Sequence, residues 1–233
     1  MISKSFTPIE DDRRTLAAQV QERIREAILK QILKPGDRID QNKLADELQV
    51  SMAPVREALK GLESEGLVTI TPRRGAFVVE MSISDMDELY FTRQLIEGEA
   101  IYLAVPRLKE RDFADLQDMI DIMRKSTDSE NINTYISYNR LFHLRIYSAL
   151  ENQHLIQVIQ MLWERSELYR YRYMFMTREH ERIHQEHEAI LEACRLRDQV
   201  LAKERAQAHI TLTQRALDAQ LRGDPETPSS RNE

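Results

Sequence analysis

Asn139 and His143 stand four residues apart in YNRLFHLRIYSAL, so a helix stacks both side chains on one face. Leu141 and Phe142 flank His143 and turn that face partly inward. His187 precedes AILEAC, whose apolar spacing marks a packed helix, and His209 precedes apolar packing residues of the last helix. Imidazoles in such places can bind metal or simply form a polar pocket. His180, His184 and His187 also share a face by spacing, and His180 and His184 are expected to be solvated. His154 follows Asn152 at a helix start and reads as the neighbour of a cap. Histidines with a metal could hydrolyse a substrate, but the chain has no H-E-x-x-H, no G-x-S-x-G and no phosphate-cradling glycine loop. On a helix, Glu186 points about 100° away from His187, so it is not placed to activate a metal-bound water. A metal-dependent enzyme is the weaker alternative. Arg93 lies inside a helical segment, where a guanidinium is costly unless paired, and Glu97 one turn on is a candidate partner. Tyr169, Arg170, Arg172 and Tyr173 form an aromatic and basic cluster that either lines a pocket or covers an amphipathic surface.

All six histidines fall in the second half of the chain, which must position them. Six helices are predicted there, over about 85–104, 110–126, 132–149, 153–175, 177–195 and 199–221. Ser84 is the expected N-cap of the first, Pro106 its end, and Arg197 and Asp198 a break before the last. Short connections between them predict an all-α antiparallel six-helix bundle over 85–222, followed by a disordered tail at 223–233.

The first half reads differently. A helix is predicted from a Thr15 cap to about Leu33, with Leu16, Val20, Ile24, Ala27 and Ile28 buried and Pro35 and Gly36 as its stop; residues 1–13 read as a loose arm. Asp40 caps a short helix with Leu44, Ala45 and Leu48 inward. Ser51 is an N-cap by type and Pro54 falls in the first turn of the next helix. Val55, Ala58, Leu59 and Leu62 repeat at helical spacing and predict its buried face, which leaves Met52, Ala53, Arg56 and Lys60 outward. Gly66 suits a left-handed C′ position. LVTIT and AFVVE then read as two strands joined through Pro72, Arg73, Arg74 and Gly75. Helix, turn, helix and hairpin in that order describe a winged helix-turn-helix over residues 1–80, with 81–84 as linker. Its second helix is expected in a DNA major groove and its hairpin on the neighbouring backbone or minor groove. Candidate DNA contacts are Asn42, Lys43, Ser51, Met52, Ala53, Arg56, Lys60, Arg73, Arg74 and Gly75. A linker this short transmits orientation better than a flexible one.

The stretch LADELQVSMAPVREALKGLESEGLVTITPRRGAFV resembles the DNA-binding domain of GntR-type bacterial transcription regulators. Met52 departs from the Arg that usually follows the turn serine, and Arg is the commonest guanine reader, so operator sequence is affected rather than DNA binding. The second half is similar to the FCD effector domain of FadR-type members, with the helix count of the VanR branch. That resemblance rests on R-x-x-x-E from Arg93, N-x-x-x-H from Asn139, E-H-x-x-I-L around His187 and A-H-I around His209. It implies a metal held by Asn139, His143, His187 and His209. Three imidazoles and one oxygen suit zinc, with nickel as the other choice, and leave positions for water or a ligand anion. It also implies that Arg93, with Asn139, contacts a small organic acid effector, and that the protein is a homodimeric repressor on a pseudo-palindromic operator. A polar pocket without metal, and direct sensing of the metal itself, stay open as alternatives.

The 233 residues carry 33 Lys+Arg and 39 Asp+Glu, a formal net charge of −6. Residues 1–80 hold 13 of each and are neutral, so the 20 basic and 26 acidic residues beyond them carry the whole excess. Local cations can hold DNA while the acidic remainder suppresses non-specific binding. Cys194 is the lone cysteine, so no intrachain disulfide forms. No apolar run has transmembrane length and the N-terminus lacks a signal-peptide core, so a soluble cytoplasmic protein without a membrane partner is expected.

Overall fold

A computed structural model describes residues 15–127, 131–177 and 179–222. The predicted N-terminal arm and the C-terminal tail lie outside these residues. The chain divides into two compact units, with the boundary between Ser82 and Ile83.

The first unit opens with α1, Leu16–Leu29, capped by the Thr15 hydroxyl, which accepts from Ala18 N. Val20, Ile24, Ala27 and Ile28 are buried as expected, whereas Leu16 is exposed. The helix ends about four residues earlier than the sequence suggests. Lys30 is its C-cap and Gln31 turns left-handed (φ 56°), well before Pro35 and Gly36. Helix α2, Gln41–Leu48, starts on Asp40, whose carboxylate accepts from Asn42 N and Lys43 N. Gln49 turns left-handed and leads into α3, Met52–Ser64. Val55, Ala58, Leu59 and Leu62 are buried, and α3 packs on α1 and α2. Gly66 (φ 75°) closes α3, and Leu67 N donates to Leu62 O in the wrapped geometry that needs a left-handed residue. Strands β2, Val68–Thr71, and β3, Gly75–Val78, pair antiparallel with Thr71 opposite Gly75. Their turn has Pro72 second and Arg73 third, with Arg73 at φ 64° and Arg74 N donating to Thr71 O. A further strand, β1 (Arg38–Ile39), completes the sheet in the order β1-β3-β2.

The second unit is helical. Helix α4, Ile83–Ala104, begins at Ile83, so Ser84 lies inside its first turn and does not cap it. A 3-10 turn at Val105–Arg107 follows, then α5 (Glu110–Arg124), α6 (Ile132–Tyr147), α7 (Gln153–Arg165), α8 (Glu167–Met176), α9 (His180–Arg195) and α10 (Gln199–Arg222). The six predicted segments are present, with the fourth divided at Ser166 into α7 and α8. Helix α4 packs on α10 and α7, α5 on α6 and α9, and α9 on α10. Gly98 lets α10 approach α4: a Cβ there would stand 2.7 Å from Gln207 Nε2. Leu116, Ile120 and Met123 of α5 are fully inside. Arg197 turns left-handed (φ 57°) and the Asp198 carboxylate accepts from Leu201 N, which makes the break before α10.

Candidate functional site

The inner faces of α6, α9 and α10 bring His143, His187 and His209 together. All three are buried, and one ring nitrogen from each lies within 4.8 Å of the others. His143 Nε2 and His187 Nε2 are 3.2 Å apart. Burial, followed by the neighbouring imidazoles, holds both His143 and His187 well below the ordinary histidine range. They are therefore neutral, the form in which imidazole binds a metal. His209 Nδ1 lies 2.7 Å from Glu186 Oε2. A proton on Nδ1 donates to that carboxylate, and in that tautomer Nε2 is the nitrogen able to ligate a metal. Asn139, one turn before His143, is buried, and among the described residues its Oδ1 has no hydrogen-bond partner. A buried amide oxygen left unpaired is costly and suits a cation or a donor that would complete it.

Arg93, Asn139, His143, Trp163, Arg170 and His209 are among the residues around a cavity of about 10 Å3, space for one water molecule. Arg93 Nε donates to Glu97 Oε1 at 2.7 Å, so the i, i+4 partner forms. Glu97 is wholly buried and also accepts from Tyr147 OH (2.9 Å) and Trp163 Nε1 (3.0 Å). Three donors thus satisfy the buried Glu97 carboxylate. Arg170 is also buried, and its partners are neutral: Nη2 donates to Trp163 O at 2.5 Å and Nε to Ser166 Oγ at 3.2 Å. Its guanidinium lies 4.1 Å from the Trp163 ring centre. Burial, and then the Arg93 charge, push it down to about 9.

The basic and aromatic cluster on α8 therefore separates. Arg170 joins the cavity, Tyr169 OH donates to Asp85 Oδ2, and Tyr173 OH accepts from Arg182 Nη2. His184 is a correction. It is 1 % exposed rather than solvated, because it packs edge-on against Tyr135 between the helices. Helix α9 turns its 183–187 face into the bundle, and the i+3 and i+4 histidine spacing could not say which way that face points. Glu186 was missed as a neighbour of the site. It stands between Gln185 and His187 on α9, and His209 comes to it from α10. The adjacent Arg182, one turn earlier on α9 and paired with Glu186, was the available sign that this carboxylate is held in place.

In the first unit, Asn42, Lys43, Ser51, Ala53, Arg56, Lys60, Arg73 and Arg74 are exposed, with Met52 and Gly75 half-buried. Among the described residues, Arg56, Lys60, Arg73 and Arg74 have no carboxylate within ion-pair distance, while Lys43 approaches Glu47 at 3.9 Å. The Ser51 side chain makes no cap hydrogen bond and is free to meet an outside acceptor. Cations without partners on α3 and at the hairpin tip form a surface suited to phosphate and base edges.

Residues 16–78 match the family model described as bacterial regulatory proteins, gntR family, and residues 88–212 match that of the FCD domain. The chain is 32 % identical over 151 residues to the HTH-type transcriptional regulator McbR of Escherichia coli (strain K12), covering 65 % of this chain and 68 % of that protein. It is 31 % identical over 140 residues to the gluconate operon transcriptional repressor of Bacillus subtilis (strain 168), covering 60 % of this chain and 56 % of that one. Among solved structures, E. coli McbR/YncC superposes with a TM-score of 0.75 at 26 % identity, over 89 % of this chain and 99 % of that one. Among the described residues, no helix is long and apolar enough to cross a membrane.

Proposed function

The chain belongs to the gntR family of bacterial regulatory proteins and carries an FCD domain, so it is a transcriptional regulator and not an enzyme; from that premise we propose that a metal and a small carboxylate in the helical unit control its hold on operator DNA. The observation that carries this reading is the buried cluster of His143, His187 and His209 beside the unpaired Oδ1 of Asn139. Neutral imidazoles and an amide oxygen form a fitting donor set for zinc, or for nickel. Such an ion, when bound, supplies positive charge at a dry site, and a carboxylate is the anion that answers it. Glu186 keeps His209 in the ligating tautomer. Arg93, fixed by Glu97, adds its cationic edge to the cavity wall.

The first unit acts on DNA with α3 in the major groove, Arg56 at a base edge, and Lys60, Arg73 and Arg74 on phosphates. The working form is a cytoplasmic homodimer on a pseudo-palindromic operator, with reading helices about 34 Å apart. Phe91 and Leu95, one turn apart on α4 and 61 % and 54 % exposed, support a dimer surface there. Repression is the expected mode, as the name of the B. subtilis relative suggests for that protein.

The test is a binding isotherm on the promoter fragment nearest the gene, with protein as purified, after chelation, and after zinc is restored. Operator binding that shifts with added acid only when zinc is present supports the reading. A chelated protein that keeps its full response removes the metal from it. The direct metal sensor is a second reading, favoured by a cavity with room for about one water. Under it, zinc alone moves the isotherm and no acid is needed.

A further inference from the structure

The two arginines of the cavity are held in opposite ways. Arg93 has a carboxylate, and that carboxylate has three donors. Arg170 is 4 % exposed, and among the described residues no carboxylate lies within ion-pair distance of it. Glu167, one turn earlier on α8, tempers its charge from further away, while Arg93 opposes it. Glu97 answers Arg93, whereas the hydrogen-bond partners of Arg170 are a carbonyl and a hydroxyl, so of the two guanidiniums at the cavity Arg170 is the one left uncompensated.

A buried charge without a partner is unfavourable, and a guanidinium is shaped to take a carboxylate with two parallel hydrogen bonds. The cavity has room for one water, so an organic acid enters only as the side chains around it move. Arg93 cannot move toward a ligand without stranding Glu97 in the core. Arg170 gives up hydrogen bonds to a carbonyl and a hydroxyl and no ion pair. The Trp163 carbonyl that it leaves still accepts from Ser166 Oγ at 3.3 Å, at the break between α7 and α8.

We propose that Arg170, rather than Arg93, is the cation that receives the ligand's carboxylate, exchanging the Trp163 carbonyl and Ser166 hydroxyl for it. The proposal rests on the reading of this cavity as an anion site. Trp163 is the only tryptophan of the chain and stacks under the Arg170 guanidinium, so its fluorescence reports the exchange.

The experiment titrates zinc-loaded full-length protein with acetate, lactate, succinate and citrate, using acetamide and succinamide as uncharged controls, and follows Trp163 emission. The expected result is a saturable change with at least one acid and none with the amides. Arg170→Met should then bind that acid at least about 10-fold more weakly, the loss of a charge-assisted hydrogen bond, with Arg170→Lys between the two. Thermal melting without acid gives the second readout. Arg170→Met should melt at or above the wild-type temperature, because it removes an unpaired charge, whereas Arg93→Met should melt below it. Wild-type protein that responds to none of the acids overturns the anion reading, and this proposal with it. An Arg170→Met protein that binds the acid as tightly as wild type, or that melts well below it, overturns the assignment of Arg170 alone.

Discussion

The same kind of side chain does opposite work in the two units. Arg56, Lys60, Arg73 and Arg74 of the first are exposed and unpaired, whereas Arg93 and Arg170 of the second are buried. In water an unpaired cation costs little and waits for a phosphate, whose arrival releases counterions. Inside a helical bundle it is expensive unless a carboxylate or a ligand answers it. The exposed cations of the first unit are thus free to meet a partner, while inside the second Arg93 is tied to Glu97 and Arg170 to a carbonyl and a hydroxyl.

The largest expected effect sharpens that contrast. Glu97→Ala strands Arg93 and strips Tyr147 and Trp163 of their acceptor, so urea unfolding of the second unit should lose about 3–5 kcal/mol. Lys30→Ala, which breaks the exposed pair with Glu26, should change stability by about 1 kcal/mol or less. Equal losses in the two variants would erase the distinction between buried and surface charge.

Next comes Arg56→Ala, expected to cost about 1–3 kcal/mol of operator binding and to relax specificity at one base position. Unchanged affinity would mean that α3 is not the reading helix. A subtler change separates ion from acid. Asn139→Asp puts a negative charge among the three imidazoles, so calorimetry should find zinc bound as well or better and the acid more weakly. Tighter acid binding would refute the charge reasoning. The smallest effect is on salt dependence: Lys60→Ala should weaken all sequences alike and lower the slope of log affinity against log salt by about one. If its loss depends on sequence instead, Lys60 touches a base.

The first unit was the more legible of the two. Its helices each bury one face, so the spacing of Val55, Ala58, Leu59 and Leu62 predicts α3, and Asp40 and Gly66 mark ends through local backbone chemistry. Strand β1 has no sequence signature because two residues carry no period, and α1 ends short of its proline and glycine because Gln31, an ordinary residue, takes a left-handed conformation. In the second unit the helices were legible and the polar interior was not. The break at Ser166 is hidden by apolar residues that continue on both sides. Glu97 meets Tyr147 and Trp163 across 50 and 66 residues, and His209 meets Glu186 across 23, distances that no periodicity spans. Of that interior, only pairs on a single helix, such as Arg93 with Glu97 and Asn139 with His143, could be read from spacing. Family resemblance supplied the gathering of His143, His187 and His209.

The most direct test of this division of labour measures two affinities on one variant. Wild type and His187→Ala are each titrated with zinc by calorimetry, then with the same operator fragment by fluorescence anisotropy. We expect wild type to bind about one ion per chain. His187→Ala should lose that binding while holding the DNA nearly as wild type does. A His187→Ala protein that binds zinc as well as wild type, or that loses DNA together with zinc, would contradict the account.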